Sequence, residues 1–188
     1  CKDQGIKVVT LYAFSTENWS RPQDEVSGLM KILETSIEKE LGELHREGVQ
    51  IRHIGRTDRI PLGLYQKIQK AIEYTSANNE LILNVAMNYG GRAEIIDAVK
   101  SMLAAGLDPS TVDEKTLAKY LYTCDLPDPD LIIRTSGEYR VSNFLIWQGA
   151  YAEYYITDVF WPDFDERELQ KALDHYSRRE RRYGGVKA

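Results

Sequence analysis

A chain of 188 residues, 43% hydrophobic and 28% charged, is long enough for one soluble globular domain with a substantial core. It has no apolar run near the roughly 18 residues of a membrane span, no signal-peptide pattern, and a net charge of −5 that argues against broad nucleic-acid binding. Cys1 and Cys124 form no CxxC, so a reducing compartment is expected, and the three histidines stand at no metal-ligand spacing.

The chain opens on Cys1 rather than Met, the pattern of a processed or truncated start. Ile6 to Phe14 is β-branched and almost continuously apolar, as expected of a strand buried on both faces. The polar loop STENWSR follows, then a long helix with Val26, Leu29, Met30, Leu33, Ile37, Leu41 and Leu44 at helical spacing. Pro22, Asp24 and Glu25 suit its first turn and Gly48 its end. Val49 to Gly55 reads as a second strand, and Ile60, Leu64, Ile68 and Ile72 mark a second helix. A third strand runs from Leu81 to Met87. Gly90 and Gly91 then turn into a helix with Ile95, Ile96, Val99, Met102 and Leu103 on one face. A short helix from Asp113 to Leu121, a proline connector, a fourth strand at Leu131 to Ile133 and a short strand near Tyr154 to Ile156 come next. Asp165 and Glu168 open the last helix in the manner of a capping box, and it ends in RRERRYGG. Alternating strands and helices predict an α/β fold, a single domain over residues 1–188 with a central parallel sheet flanked by helices.

In such sheets ligands gather beyond the carboxyl ends of the strands. STENWSR, NYGGR and RTSGEYR all leave that edge, which predicts one site faced by three loops. Arg134 and Arg140 stand six residues apart across a glycine turn and can aim two guanidinium forks at one phosphate group, with Ser142 adding a hydroxyl. The plainer alternative is a hairpin-like loop with two surface arginines. Glu153 lies in the apolar stretch GAYAEYY, where a carboxylate is costly unless paired or metal-bound. Mg²⁺ shared with a substrate phosphate would account for it, and so would an internal Glu–Arg ion pair. Ser15, Asn18, Trp19 and Arg21 share a loop that ends on a helix start. Asn18 could orient a substrate there, and Trp19 could equally plug the loop against the core. NYGGR is a weak candidate for an anion cradle, and the basic RRERR run also suits the last turn of a helix.

LYAFSTENWSRP, RTSGEYRVSNFLIWQGAYAEYYITDVFWPDF and RRERRYGG, in that order, resemble the bacterial cis-prenyltransferases, the undecaprenyl diphosphate synthase group, over essentially the whole chain. The resemblance implies sequential condensation of isopentenyl diphosphate onto an allylic primer, farnesyl diphosphate, with Mg²⁺ as cofactor. It further implies a homodimer in the cytoplasm, close to the membrane that takes the lipid product for cell-wall synthesis. Carried onto this chain, the family pattern makes Arg134, Arg140 and Ser142 the isopentenyl diphosphate clamp and Glu153 a Mg²⁺ ligand. Asn18 and Trp19 would lie beside the reacting carbons, with Ser15 near them and Arg21 and Glu25 in support. Arg182 and Gly184 match an Arg-x-Gly element that reaches a neighbouring subunit's site. No DDxxD is present and the pattern is not all-α, which sets the trans-prenyltransferases aside.

One departure is large. The family carries an Asp-Gly-Asn-Gly-Arg-Trp loop on an earlier strand, where it cradles the allylic diphosphate and supplies a catalytic Asp. These 188 residues hold no copy. The expectation is therefore a chain without the N-terminal strand and its loop, which binds isopentenyl diphosphate weakly and does not elongate farnesyl diphosphate alone. The rival reading is a non-catalytic subunit of the same fold, against which the retained Asn18, Trp19, Arg134 and Arg140 argue. A nucleotide-binding module built on NYGGR is a weaker rival, because no GxGxxG follows a strand.

Overall fold

The computed structural model describes residues 1–179, which fall into two compact units, Cys1–Leu126 and a second from Pro127 onward. In the first unit three strands form a parallel sheet: β1, Val8–Ser15; β2, Val49–Ile54; and β3, Leu81–Tyr89. Their order is β1-β3-β2, with Thr10 and Arg52 both paired to Asn84. The central place thus goes to β3, whose last four residues, Ala86, Met87, Asn88 and Tyr89, are all buried. The expectation that the first strand is buried on both faces is not met. β1 stands at one end of the order, and only Phe14 among its residues is fully buried.

Two helices cover one face of this sheet. Helix α1, Gln23–Arg46, starts after Pro22, carries Asp24 and Glu25 in its first turn and His45 and Arg46 in its last, so its charges oppose the macrodipole. Helix α2, Leu62–Tyr74, follows Pro61. Val26 and Met30 from α1, Leu64 and Ile68 from α2, and Ile60 just before α2 meet Phe14 and Met87 in the main core. The i, i+3/i+4 spacing read from the sequence is therefore the spacing that packs.

Helix α3, Gly91–Ala104, departs from its predicted orientation. It buries Gly91, Glu94, Ala98 and Met102, and leaves Ile96, Val99 and Leu103 exposed. The reason is Glu94. Its carboxyl group, fully buried, accepts hydrogen bonds from the Tyr89 hydroxyl at 2.6 Å and the Tyr122 backbone N–H at 2.9 Å, so a polar residue takes a core position. One turn on, Asp97 accepts both Arg56 N–H groups at 2.7 and 2.8 Å and the Tyr122 hydroxyl at 2.5 Å. The bond from Arg56 holds the Asp97 carboxyl below its usual range. Helix α4, Glu114–Ala118, is capped by Asp113.

The second unit contains β4, Leu131–Arg134, and β5, Glu153–Ile156, paired in parallel with Leu131 opposite Glu153 and Arg134 opposite Ile156. Parallel pairing makes the intervening segment a crossover, so the hairpin-like alternative for RTSGEYR does not apply. Helix α5, Glu166–Ser177, begins at Asp165, whose carboxylate caps the Arg167 and Glu168 N–H groups, and packs His175 against Tyr155.

Candidate active site

The loop after β1 is a tight 3-10 turn, Thr16–Ser20, closed by a reciprocal cap. The Asn18 backbone N–H donates to the Ser15 hydroxyl at 3.3 Å, and the Ser15 N–H donates to Asn18 Oδ1 at 2.9 Å. Asn18 thereby spends its side-chain acceptor on the turn and, among the described residues, keeps its amide N–H groups for another partner. Trp19 is wedged at the rim of the core, its ring edge-on to Phe14 at 4.8 Å. Its Nε1–H donates to Asn88 Oδ1 at 2.7 Å, and the Arg59 guanidinium lies 4.6 Å from the ring centroid. The core plug expected as the plain reading of Trp19 thus exists on one side of the indole, while its polar edge is fixed by a side chain. Arg21 pairs with Glu25 at 2.7 Å, both about half exposed, which ties the turn to the start of α1. A cleft of about 450 Å³ opens beside Trp19, with Val26, Met30 and Leu64 as apolar lining and Arg59 and Lys31 as cations.

NYGGR does not read as an open anion cradle. Gly90 is extended, a conformation any residue adopts, and the first turn of α3 already holds the buried Glu94 carboxyl group.

In the second unit Arg134 ends β4, half-buried, and its Nε is buried with no hydrogen-bond partner among the described residues. The turn beyond it runs through left-handed Ser136 and Gly137 (φ 66° and 64°) and is stitched to the segment after β5 by Ser136 N–H to Val159 O and Gly137 N–H to Thr157 O, both 2.9 Å. A Cβ at Gly137 would sit 2.8 Å from Asp158 Oδ1, so a larger residue there would have to displace the Asp158 side chain as well as hold a left-handed backbone. Arg140 is exposed and paired with Glu138. Ser142, Asn143 and Leu145 all adopt positive φ (48°, 62° and 42°), an accumulation of backbone strain of the kind that gathers at functional loops.

Glu153 does not share a level or a face with Arg134. It lies opposite Leu131, three residue steps of about 3.3 Å from the level of Arg134, and strand alternation sends the two side chains to opposite faces. Its carboxylate, 27% exposed, has Arg179 Nη1 at 3.8 Å, the loose form of the ion pair weighed from the sequence. No group of three or more His, Cys, Asp or Glu side chains able to hold a metal occurs among the described residues. A lone carboxylate is nevertheless what Mg²⁺ takes from a protein when substrate phosphates and water supply the rest, so the donor chemistry fits if Arg179 gives way. Arg182 and Gly184 lie outside the described residues.

Sequence reasoning missed Asn88, Arg59 and Arg179. Asn88 stands inside NYGGR, where the adjacent glycines dominate the reading. An Asn that ends a strand just before a Gly-Gly pair, where a left-handed residue is tolerated, is the available signal.

The fold places the chain among prenyl diphosphate synthases: it superposes on lavandulyl diphosphate synthase from Lavandula x intermedia, solved in complex with dimethylallyl diphosphate, with a TM-score of 0.93 and 36% identity, covering 97% of this chain and 81% of that one. The family model for undecaprenyl diphosphate synthase matches residues 1–184. An isoprenyl transferase of Heliobacterium mobile is 52% identical over 191 residues, covering all of this chain and 74% of the relative. That of Fusobacterium nucleatum is 52% identical over 183 residues, 97% of this chain and 78% of the relative. This chain belongs to the undecaprenyl diphosphate synthase family of isoprenyl transferases, and its α/β fold with parallel strands flanked by helices is that of the cis-prenyltransferases.

Proposed function

We propose that this chain acts in the condensation of isopentenyl diphosphate with an allylic diphosphate, farnesyl diphosphate, to a long-chain cis-polyprenyl diphosphate, undecaprenyl diphosphate for cell-wall synthesis. The observation that carries the reading is the buried Nε of Arg134 at the carboxyl end of β4, which has no acceptor among the described residues. A buried guanidinium N–H without an acceptor is costly, and a diphosphate oxygen removes that cost with a charge-assisted bond. Arg140 joins it by exchanging Glu138 for phosphate, and Ser142 adds its hydroxyl from the strained loop.

The allylic substrate falls to the loop after β1. The free amide N–H groups of Asn18 donate to it, the Trp19 ring flanks its carbons, and Ser15, Arg21 and Glu25 hold the turn in shape. The relative solved with dimethylallyl diphosphate, itself an allylic diphosphate, supports this chemistry. In the reaction the allylic C–O bond breaks as its diphosphate departs, the isopentenyl double bond forms the new C–C bond, and a proton leaves the adjacent carbon. Glu153 would be the residue that holds Mg²⁺, which when bound would supply neutralisation of diphosphate charge. The chain works as a cytoplasmic homodimer close to the membrane, with Arg182 and Gly184 serving the neighbouring subunit. No helix among the described residues is long and apolar enough to cross a membrane.

Calorimetric titration tests the clamp. A charge-assisted bond of about 1.5–3 kcal/mol means that Arg134→Ala weakens isopentenyl diphosphate binding roughly ten- to a hundredfold. Farnesyl diphosphate affinity should change far less. Equal losses for both ligands would remove Arg134 from the isopentenyl diphosphate clamp.

A further inference from the structure

Asn88 is the point at which three loops of the first unit are tied together, and both of its side-chain polar atoms and its carbonyl are used. Its Oδ1 accepts the Trp19 indole N–H at 2.7 Å. Its Nδ2 donates to the backbone carbonyls of Arg56 at 3.1 Å and Asp58 at 2.8 Å. Its own backbone carbonyl accepts the Arg56 N–H at 3.1 Å. The orientation of the amide is unambiguous, because the indole can only donate and the two carbonyls can only accept. The residue is 2% exposed and left-handed (φ 51°), a conformation that asparagine tolerates better than most.

The loop it holds is shaped to come this close. Gly55 adopts φ 121°, and a Cβ there would lie 2.2 Å from the Met87 carbonyl oxygen, so a side chain would push the loop off the end of β3. Farther along the same loop, Arg59 is also left-handed (φ 68°) and lays its guanidinium over the Trp19 ring. One amide therefore fixes the indole edge directly, and through the loop it also sets the cation that covers the indole face.

We propose that Asn88 is the positioning residue for Trp19 in the condensation, setting the indole plane against which the allylic substrate lies. The proposal rests on the reading of Trp19 as a substrate contact and goes beyond it by naming what orients that contact. A partly buried indole N–H without its acceptor turns toward other partners, and Trp19 then loses both its tilt and its cation.

Trp147 and Trp161 are the other two tryptophans, so a background with both changed to Phe leaves Trp19 as the sole indole reporter. Asn88→Gly removes the side chain without opposing the left-handed backbone. It should move the Trp19 indole N–H resonance and red-shift its fluorescence. In the otherwise unaltered chain it should weaken farnesyl diphosphate binding roughly three- to tenfold. Asn88→Asp keeps the acceptor toward the indole but gives up the donor to the Arg56 and Asp58 carbonyls, so it should hold the indole N–H resonance nearer its original position than the glycine does, which leaves a second readable variant. In a Trp19→Phe chain, Asn88→Gly should add no further loss of affinity, because both changes act through one contact. An unmoved indole signal, or additive losses, overturns the positioning role. If the indole responds but Trp19→Phe binds farnesyl diphosphate as well as the original chain, the substrate role of Trp19 itself has failed and the inference falls with it.

Discussion

Glu153 shows how much a single side chain's neighbours decide. Its carboxylate is partly buried and Arg179, the cation beside it, stands at 3.8 Å, a distance at which a partly exposed ion pair contributes about 1 kcal/mol at most. Such a pair is easily exchanged for a cation that brings its own phosphate ligands. Glu153→Gln keeps the shape and removes the charge. In calorimetric titrations of substrate binding, it should raise the Mg²⁺ needed for half-saturation by about tenfold or more. An unchanged Mg²⁺ requirement together with a lowered melting temperature would mean that the carboxylate serves Arg179 alone. The sequence displays that Glu153 needs a partner, because an acidic residue among Ala and Tyr is conspicuous. It does not display which partner, since a parallel register that puts Glu153 opposite Leu131 and away from Arg134 is set by pairing between distant segments.

At the scale of elements, α1 and α2 are legible because their apolar stripes are their buried stripes. Val26 and Met30, and Leu64 and Ile68, recur at the helical period and pack where that period sends them. Helix α3 is not, because counting apolar residues alone misses a buried acid. Glu94 is held inside by Tyr89 and Tyr122, groups whose hydroxyl and N–H a periodicity argument does not weigh, and the helix turns Ile96, Val99 and Leu103 outward in consequence. Those three residues, at 52%, 38% and 68% exposure and spaced i, i+3, i+7, form an apolar stripe on a helix. It is the face through which we expect the homodimer to form. Leu103→Asp would place an unpaired carboxylate in that contact, at a cost of several kcal/mol. Sedimentation at micromolar concentration should therefore change from dimer to monomer, with the far-ultraviolet circular dichroism unaltered. A Leu103→Asp chain that still sediments as a dimer would place the interface elsewhere, and an unaltered chain that is monomeric would dismiss the dimer.

Across the whole molecule, an acidic chain of net charge −5 has to bind substrates that are themselves highly negative, so the cations have to be local. They are: Arg134 and Arg140 follow β4, while Arg21 and Arg59 flank the turn that carries Asn18 and Trp19. On the proposed reading, these two groups of cations on different elements serve two diphosphates. Condensation requires that both be bound at the same time. Simultaneous binding is measured by saturating the chain with an unreactive analogue of farnesyl diphosphate in the presence of Mg²⁺ and then titrating isopentenyl diphosphate by calorimetry. Isopentenyl diphosphate should bind as an additional ligand and leave the analogue in place. Displacement of the analogue by isopentenyl diphosphate, with the two competing for one site, would contradict the two-diphosphate reading.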